Sequence, residues 1–119
     1  MSHCQKQLRA LADENRWEII RLLLSHEYCV GALANNLGIS GAAVSQHLRV
    51  LREAGLVKGE KRGYWTHYQV ERKALIALGE VLIKLGREKA AQPQPCPRGT
   101  SPAGKSCTEA CPPPEKEEN

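Results

Sequence analysis

Three of the five cysteines of this 119-residue chain, Cys96, Cys107 and Cys111, lie close together near its end, in the segment CPRGTSPAGKSCTEAC. The prolines and glycines between them favour turns over a helix, so the three thiols can converge on one point. Trivalent arsenic or antimony prefers three soft thiolates, whereas zinc or cadmium requires a fourth ligand, which Cys4 could supply. The plain alternative is a tail whose cysteines have no role.

The composition excludes several classes of protein. The first residues, MSHCQKQLRAL, lack the apolar stretch of a secretion signal, and no run of about 18 apolar residues could form a spanning helix. We therefore expect a soluble, cytoplasmic protein, in which five reduced thiols do not form a disulfide framework. The chain contains no phosphate-binding glycine loop, no HExxH motif and no nucleophile elbow, so we predict that it is not an enzyme.

Proline content and charge divide the chain at the same place. All seven prolines follow Gln92. Residues 1–91 carry 14 Lys and Arg against 9 Asp and Glu, a net charge of +5, whereas residues 92–119 carry 3 against 4, a net charge of −1. We predict a folded domain over 1–91 and an irregular, Cys- and Pro-rich tail over 92–119. The positive charge of the domain suggests an anionic partner.

The elements that would position such a partner are mainly helices. Asp13 suits the N-cap of a helix in ENRWEIIRLLLSHE, and the shorter segment QKQLRAL could form a helix before it. One face of the helix after Asp13 carries apolar side chains, at Trp17, Ile20, Leu23 and Leu24. A brief helix in VGALANNLG would stop at Gly38, and a further helix, capped by Ser40, would end at Gly55. Two short helices joined by a tight turn that contains Gly predict a helix-turn-helix.

The second helix of this motif has two different faces. Its apolar stripe consists of Val44, Leu48 and Leu51. The opposite side carries small and polar side chains, at Ala42, Gln46, Arg49 and Glu53. A helix that enters the major groove of DNA needs such residues in its N-terminal half, because bulky ones would hold it away from the bases. An ordinary solvated face is the alternative.

The segment LVKGEKRGYWTHYQV has the pattern of a β-hairpin. It contains a turn at Arg62-Gly63, and Thr66, Tyr68 and Val70 alternate on one face of its second strand. A hairpin directly after a helix-turn-helix forms a wing, and we expect its tip to carry Lys58, Lys61 and Arg62. Such cations add salt-dependent contacts to phosphates. The fold class is therefore predicted as mainly α with a β-hairpin wing.

The last predicted helix, about 73–89, has more apolar surface than a small domain needs. One stripe is formed by Ala74, Leu75, Leu78, Val81, Leu82 and Leu85, and Ile76 and Ile83 lie on another side. This surplus suggests a partner, and a homodimer fits because two recognition helices could then engage successive major grooves of a palindromic site.

Three segments together resemble the ArsR/SmtB family of bacterial winged-helix repressors: LADENRWEIIRLLL, YCVGALANNLGISGAAVSQHLRVLREAGLV and KRGYWTHYQV. The resemblance covers about residues 5–88. It implies a homodimer that sits on double-stranded operator DNA and leaves it when an inducer, usually a metal ion or metalloid, binds. Carried over by position, the recognition residues are Ser40, Ser45, Gln46, His47 and Arg49, and the wing contacts are Lys61 and Arg62. For His47, packing between helices is an equal alternative.

The resemblance also implies several locations for the inducer. At the first of these, Cys29 matches one thiol, but Gly31 and Ala34 occupy the other ligand positions. The last helix lacks the His and Asp of another family site. Cys29 and Cys96 could form a redox- or sulfide-sensing pair. The tail cysteines remain, and we predict that they bind As(III) or Sb(III), with Zn or Cd as the alternative inducer. A protein-interaction module without DNA binding is the rival class of function.

Overall fold

Five helices and one two-stranded antiparallel sheet follow one another along the chain. The computed structural model describes residues 2–88 and Cys96. The elements are α1 (Ser2–Leu11), α2 (Glu14–Ser25), α3 (Val30–Leu37), α4 (Gly41–Glu53), β1 (Val57–Arg62), β2 (Trp65–Val70) and α5 (Arg72–Arg87). This order confirms the mainly helical fold with a hairpin after a helix-turn-helix. Residues 1–86 form one compact unit. Most of the predicted tail, with Cys107 and Cys111, lies outside the described residues, so the domain boundary at residue 91 stays a prediction.

Local capping determines where the helices of the motif begin and end. The Asp13 carboxylate accepts a hydrogen bond from the Arg16 N–H at 3.0 Å and so caps α2. The Ser40 hydroxyl accepts from the Ala43 N–H at 3.1 Å and caps α4. Between them, α3 ends at Gly38, whose φ of +67° is the left-handed conformation that glycine adopts without a steric penalty. The tight turn between α3 and α4 follows from this cap.

The core is built of aliphatic side chains from every element of the compact unit. Its largest fully buried side chains are Ile19, Leu33, Val44, Leu48, Leu51 and Leu56. Trp17, which periodicity places on the apolar face of α2, does not pack in this core, because its side chain is 52% exposed. The buried arc of α2 consists of Ile19, Ile20 and Leu23, and Trp17 lies outside that arc. The amide of Gln7, which is buried, ties α1 to the end of α4 by donating to the Ala54 carbonyl at 3.2 Å.

The hairpin register corrects two details of the predicted wing. Val57 pairs with Val70, and both are buried, so the base of the wing is anchored in the core. Arg62 is the last paired residue, opposite Trp65, and the two-residue loop is Gly63–Tyr64 rather than Arg62–Gly63. Lys58 pairs with Gln69 near the base, so it does not belong to the tip.

Most of the apolar surface of α5 is exposed in the single chain. Leu78 is buried, and Ala74 and Leu75 pack partly against the core. The exposed apolar residues of this helix are Ile76, Val81, Leu82, Ile83 and Leu85. His3, Cys4 and Gln7 of α1 form a shallow groove with residues 74–81 of α5. Within the described part of the chain, no helix is both long and apolar enough to cross a membrane.

Candidate nucleic-acid interface

The N-terminal half of α4 presents small and polar side chains to solvent. Ser40, Ala42, Ser45 and Gln46 are all exposed there. The opposite face is closed, because Val44, Leu48 and Leu51 are buried. The exposed face therefore has no packing role in the single chain, and it has the shape and hydrogen-bonding groups that base edges in a major groove require.

Arg49 continues this face by one turn. Its Nε donates to Glu53 Oε1 at 3.2 Å, and both side chains are largely exposed. An exposed pair at i, i+4 stabilises a helix by roughly 0.3–0.5 kcal/mol. Because this interaction is weak, a phosphate or a guanine edge can replace Glu53 as the partner of the Arg49 guanidinium with little loss of helix stability.

His47 has a different environment from its neighbours on α4. Its side chain is 18% exposed, and its Nδ1 lies 3.9 Å from Asp13 Oδ2 and 3.4 Å from Arg16 Nη1. Arg16 in turn donates from Nε to the Ala10 carbonyl at 2.6 Å, at the end of α1. His47 therefore contacts the junction of α1 and α2. These contacts favour helix packing as its main role, and a DNA contact of His47 stays a prediction.

The Asp13 carboxyl is the charged centre of this junction. The hydrogen bond from the Arg16 N–H lowers its pKa below the ordinary value of 3.8, against the opposing effect of desolvation. The charges of Arg16 and His47 lower the pKa further. The N-cap of α2 is thus ionised wherever the protein is folded near neutral pH.

The two predicted wing cations are held differently. Lys61 is exposed and forms no ion pair with any residue of the described part of the chain. Arg62 Nη1 lies 2.6 Å from Glu27 Oε2, and its Nη2 donates to Glu27 Oε1 at 3.2 Å. A weaker contact joins Arg62 to Glu60 at 3.4 Å. Glu27, and to a lesser extent Glu60, raise the pKa of the Arg62 guanidinium.

Glu27 holds the wing at two points, which sequence reasoning missed. Besides Arg62 near the tip, it accepts a hydrogen bond from Gln69 Nε2 at 2.5 Å. Arg62 pairs with Trp65, so these two side chains share one face of the hairpin. Gln69 lies four residues after Trp65 on β2, and alternate residues of a strand point to the same face, so Gln69 shares that face as well. No local pattern could have revealed this contact, since Glu27 belongs to the loop between α2 and α3.

The structure describes three of the five cysteines. Cys4 is half-buried on α1, Cys29 is half-buried at the N-cap of α3, and Cys96 is exposed. Among the described residues, no three His, Cys, Asp or Glu side chains are grouped so that they could hold a metal ion. Cys107 and Cys111 lie outside the described residues, so the predicted tail site stays a prediction.

Comparison with known proteins agrees with this geometry. The family model described as "Bacterial regulatory protein, arsR family" matches residues 13–58. The transcriptional activator HlyU of Vibrio cholerae is 38% identical over 78 residues, covering 66% of this chain and 72% of that protein. The arsenical resistance operon repressor of Escherichia coli is 45% identical over 64 residues, covering 52% of this chain but only 54% of that repressor.

The fold is also shared with solved structures. An ArsR-like transcriptional regulator from Rhodococcus superimposes with a TM-score of 0.67 at 30% identity, over 71% of this chain and 80% of that one. The matched segment contains the complete helix-turn-helix, whose exposed face is described above. This chain therefore belongs to the ArsR family of bacterial regulatory proteins, which regulate transcription through a winged helix-turn-helix and are not enzymes.

Proposed function

We propose that this chain is a cytoplasmic transcriptional repressor that binds double-stranded operator DNA as a homodimer. The observation that carries the proposal is the exposed polar face of α4 opposite a fully buried stripe. Ser40, Ser45, Gln46 and Arg49 would meet bases and phosphates in the major groove, and His47 would contribute the edge of its ring. Lys61, and Arg62 once it leaves Glu27, would meet phosphates beside that groove.

The exposed apolar side of α5 supports the homodimer. Five large apolar side chains of this helix are exposed in the single chain, next to the groove that α1 forms with α5. Two-fold pairing through these helices would bury them and would set two copies of α4 at a fixed separation. Half-sites on DNA then need a spacing of about one helical turn, or 34–36 Å.

We further propose that the operator is released when a thiophilic inducer, As(III) or Sb(III), binds Cys96, Cys107 and Cys111. The support is chemical: three thiolates in a segment rich in proline and glycine suit a trivalent metalloid. The similarity to an arsenical resistance operon repressor favours an inducer that contains arsenic. Zinc or cadmium, with Cys4 as a fourth ligand, is the second candidate, and a redox or sulfide response of Cys29 and Cys96 is the third.

One titration series tests both operator binding and the release of the operator by an inducer. A duplex selected by the purified chain from a randomised pool is bound at two salt concentrations, and arsenite is then added to the complex. We expect affinity to fall steeply with salt. Arg49→Ala should weaken binding by roughly 1–3 kcal/mol, the cost of losing a base-reading Arg. Arg21→Ala is the matched control, because Arg21 forms a comparable exposed pair with Glu18 on α2.

The inducer part of the series has its own controls. Arsenite or antimonite should lower operator affinity by roughly 5–150-fold, the usual range of allosteric coupling. Replacing Cys96, Cys107 and Cys111 together by Ser should abolish this response, whereas Cys29→Ser should preserve it. A response to zinc, cadmium or a thiol oxidant instead of arsenite would favour the other candidates. A chain that binds no duplex even at low salt would be a protein-interaction module.

A further inference from the structure

A ring nitrogen near the middle of the wing is buried without a hydrogen-bond partner. His67 lies on β2, opposite Glu60 of β1. Its Nδ1 is shielded from water, and no residue that the structure describes forms a hydrogen bond with it. Leaving a buried polar atom unpaired costs free energy, so such an atom in a native fold needs an explanation. The side chains that surround the ring supply one.

His67 stands on the outer face of the hairpin, away from the core. Val70 is buried and Tyr68 packs partly against the core, so these residues of β2 define the inner face. Successive residues of a strand point to opposite faces, which places His67 on the outer face. Glu60 and Arg62 of β1 share the outer face with it. Neighbouring side chains on this face, rather than the core, therefore shield Nδ1.

The segment before α3 runs along the other edge of β2. Tyr28 and Tyr68 form an antiparallel bridge, in which the Tyr68 N–H donates to the Tyr28 carbonyl at 3.1 Å. One residue along this register, Cys29 comes opposite His67. The ring therefore has neighbours on both edges of its strand.

The ion pair between Glu27 and Arg62 spans the position of His67. In the same register, Glu27 comes opposite Gln69, toward the base of the wing, and accepts a hydrogen bond from that amide. Arg62 lies beyond His67 in the other direction, on the opposite edge. The contact of 2.6 Å between Arg62 Nη1 and Glu27 Oε2 thus joins two corners of the outer face across its middle. Glu60 Oε2 lies 3.4 Å from the same guanidinium, so His67 lies among one cation and two carboxylates, whose charges sum to −1.

The remaining titratable groups near this cluster have separate surroundings. Lys58, on the same face of β1, lies 3.7 Å from Glu71. The ring of His26, after α2, packs edge to face with Tyr28 at a centroid distance of 6.0 Å. Cys29 is half-buried and faces His67 from the segment before α3. The guanidinium is therefore the only described cation in ion-pair contact with the two carboxylates.

Resting on the function proposed above, we propose that His67 binds a proton when Arg62 leaves Glu27 for a phosphate of DNA. Without the guanidinium, Glu27 and Glu60 stand on the same face with no cation between them, and their negative charge favours proton uptake by the ring. The proton comes from the buffer, and the ring becomes an imidazolium with a hydrogen on both nitrogens. Nδ1–H then gains a carboxylate as its acceptor, and the new positive charge replaces that of Arg62.

This exchange makes operator binding depend on pH. A complex that holds more protons than its free components is favoured at low pH. Operator affinity should therefore rise as the pH falls through the range in which histidine side chains titrate, roughly pH 5–8. The limiting slope is about tenfold in affinity per pH unit for each proton taken up.

The test compares operator affinity at about pH 8 and about pH 6, at constant ionic strength. The wild type should bind about tenfold more tightly at the lower pH. His67→Gln cannot take up the proton, so it should bind within about twofold of the wild type at the higher pH and lose most of the difference. Arg62→Ala should also lose it, because its carboxylates lack the guanidinium before DNA binds. His26→Gln is the matched control and should keep the difference, because His26 is exposed and lies outside the cluster.

Proton NMR follows the protonation of His67 without DNA. The ring signal that is missing from His67→Gln identifies the residue, and its titration midpoint is the pH at which the ring is half protonated. Arg62→Ala should raise this midpoint by about one pH unit, because the opposing cation is gone. Lys58→Ala is the matched control and should leave the midpoint nearly unchanged, because Lys58 pairs with Glu71. The same spectra show that each variant is folded.

The outcomes separate the proton site from the proposed function. An equal pH dependence of the wild type and His67→Gln overturns the inference while the proposed function stands. A midpoint that does not move in Arg62→Ala overturns the inference as well. Failure of the wild type to bind any duplex at either pH overturns the proposed function itself.

Discussion

At the scale of single residues, Arg16 connects more of the molecule than its position in α2 suggests. Its guanidinium donates to the Ala10 carbonyl at the end of α1 and lies 3.4 Å from His47 on α4. Its backbone N–H donates to the carboxylate of Asp13. One arginine and one aspartate therefore hold the start of α2 against both the helix before it and the helix that is proposed to enter DNA.

Asp13 stabilises the fold as the N-cap of α2, and substitution tests this contribution. Replacing it by Ala removes the N-cap of α2 and should lower the free energy of unfolding by about 1 kcal/mol. Asp13→Asn is the matched variant, because Asn also caps a helix but does not ionise. Urea denaturation followed by circular dichroism at neutral pH should place Asp13→Asn near the wild type and Asp13→Ala clearly below it.

The lowered pKa of Asp13 predicts that the stability of the wild type and that of Asp13→Asn depend differently on pH. The Arg16 N–H lowers the pKa of Asp13 in the folded state below 3.8, so the unfolded chain binds this proton more tightly. The contribution of Asp13 to stability is therefore complete above pH 3.8 and is lost as the pH falls from 3.8 through the lowered pKa. Asp13→Asn should lack this part of the acid dependence. Identical stability profiles for the wild type and Asp13→Asn below pH 4 would contradict the assignment.

At the scale of elements, the wing and the loop before α3 form one assembly. Glu27 binds Arg62 through two contacts and Gln69 through a third. A carboxylate whose two oxygens bind the two terminal nitrogens of a guanidinium occupies the positions that phosphate oxygens would take. Under the proposed function, Glu27 would therefore compete with DNA for Arg62, and it also braces the hairpin.

Removing the charge of Glu27 should therefore release Arg62 to DNA. In Glu27→Gln, the side chain keeps its length and can still accept from Gln69, but it no longer attracts the guanidinium. We expect tighter binding at low salt and a dependence of log K on log salt that is steeper by about one phosphate contact. Glu60→Gln, which loses only the contact at 3.4 Å, should show a smaller effect.

The double variant Glu27→Gln/Arg62→Ala shows whether the gain passes through Arg62, because it should bind no more tightly than Arg62→Ala alone. Weaker binding by Glu27→Gln would mean that bracing the hairpin matters more than freeing the cation.

The elements that could be predicted from the sequence are those with local determinants. Asp13, Ser40 and Gly38 act on residues within one helical turn, so the helix boundaries followed from them. The buried stripe of α4 followed from periodicity for the same reason. Arg62 was recognised as a cation, but its partner lies 35 residues away in the chain, and pairing at that distance depends on the tertiary structure. Periodicity groups Trp17 with Ile20 and Leu23, but packing buries a narrower arc of α2 that leaves Trp17 exposed.

At the scale of the whole molecule, the proposed function depends on pairing two chains. The apolar side chains of α5 that extend beyond Leu78 are exposed, whereas Leu78 itself is buried in the compact unit. The first half of α5 thus stabilises the single chain, and the second half presents its apolar side chains outward.

Leu82→Glu tests this division of α5. Leu82 is exposed in the single chain, so the variant should keep its thermal stability as a monomer. If each Leu82 is buried in a dimer, the loss of about 1.5 kcal/mol or more per side chain should weaken dimerisation by roughly a hundredfold. Lys84→Glu on the same helix is the polar control. Sedimentation equilibrium gives the association constants, and a wild type that remains monomeric would disprove the pairing.

The positions of the two tryptophans have a practical consequence for spectroscopy. Trp17 and Trp65 are both more than half exposed, and the buried core of the described part of the chain contains no aromatic ring. Intrinsic emission should therefore shift little when the protein unfolds. Trp65 sits beside the wing loop, so a Trp17→Phe chain would carry a single tryptophan, and quenching of its emission by acrylamide would report occupancy of the wing.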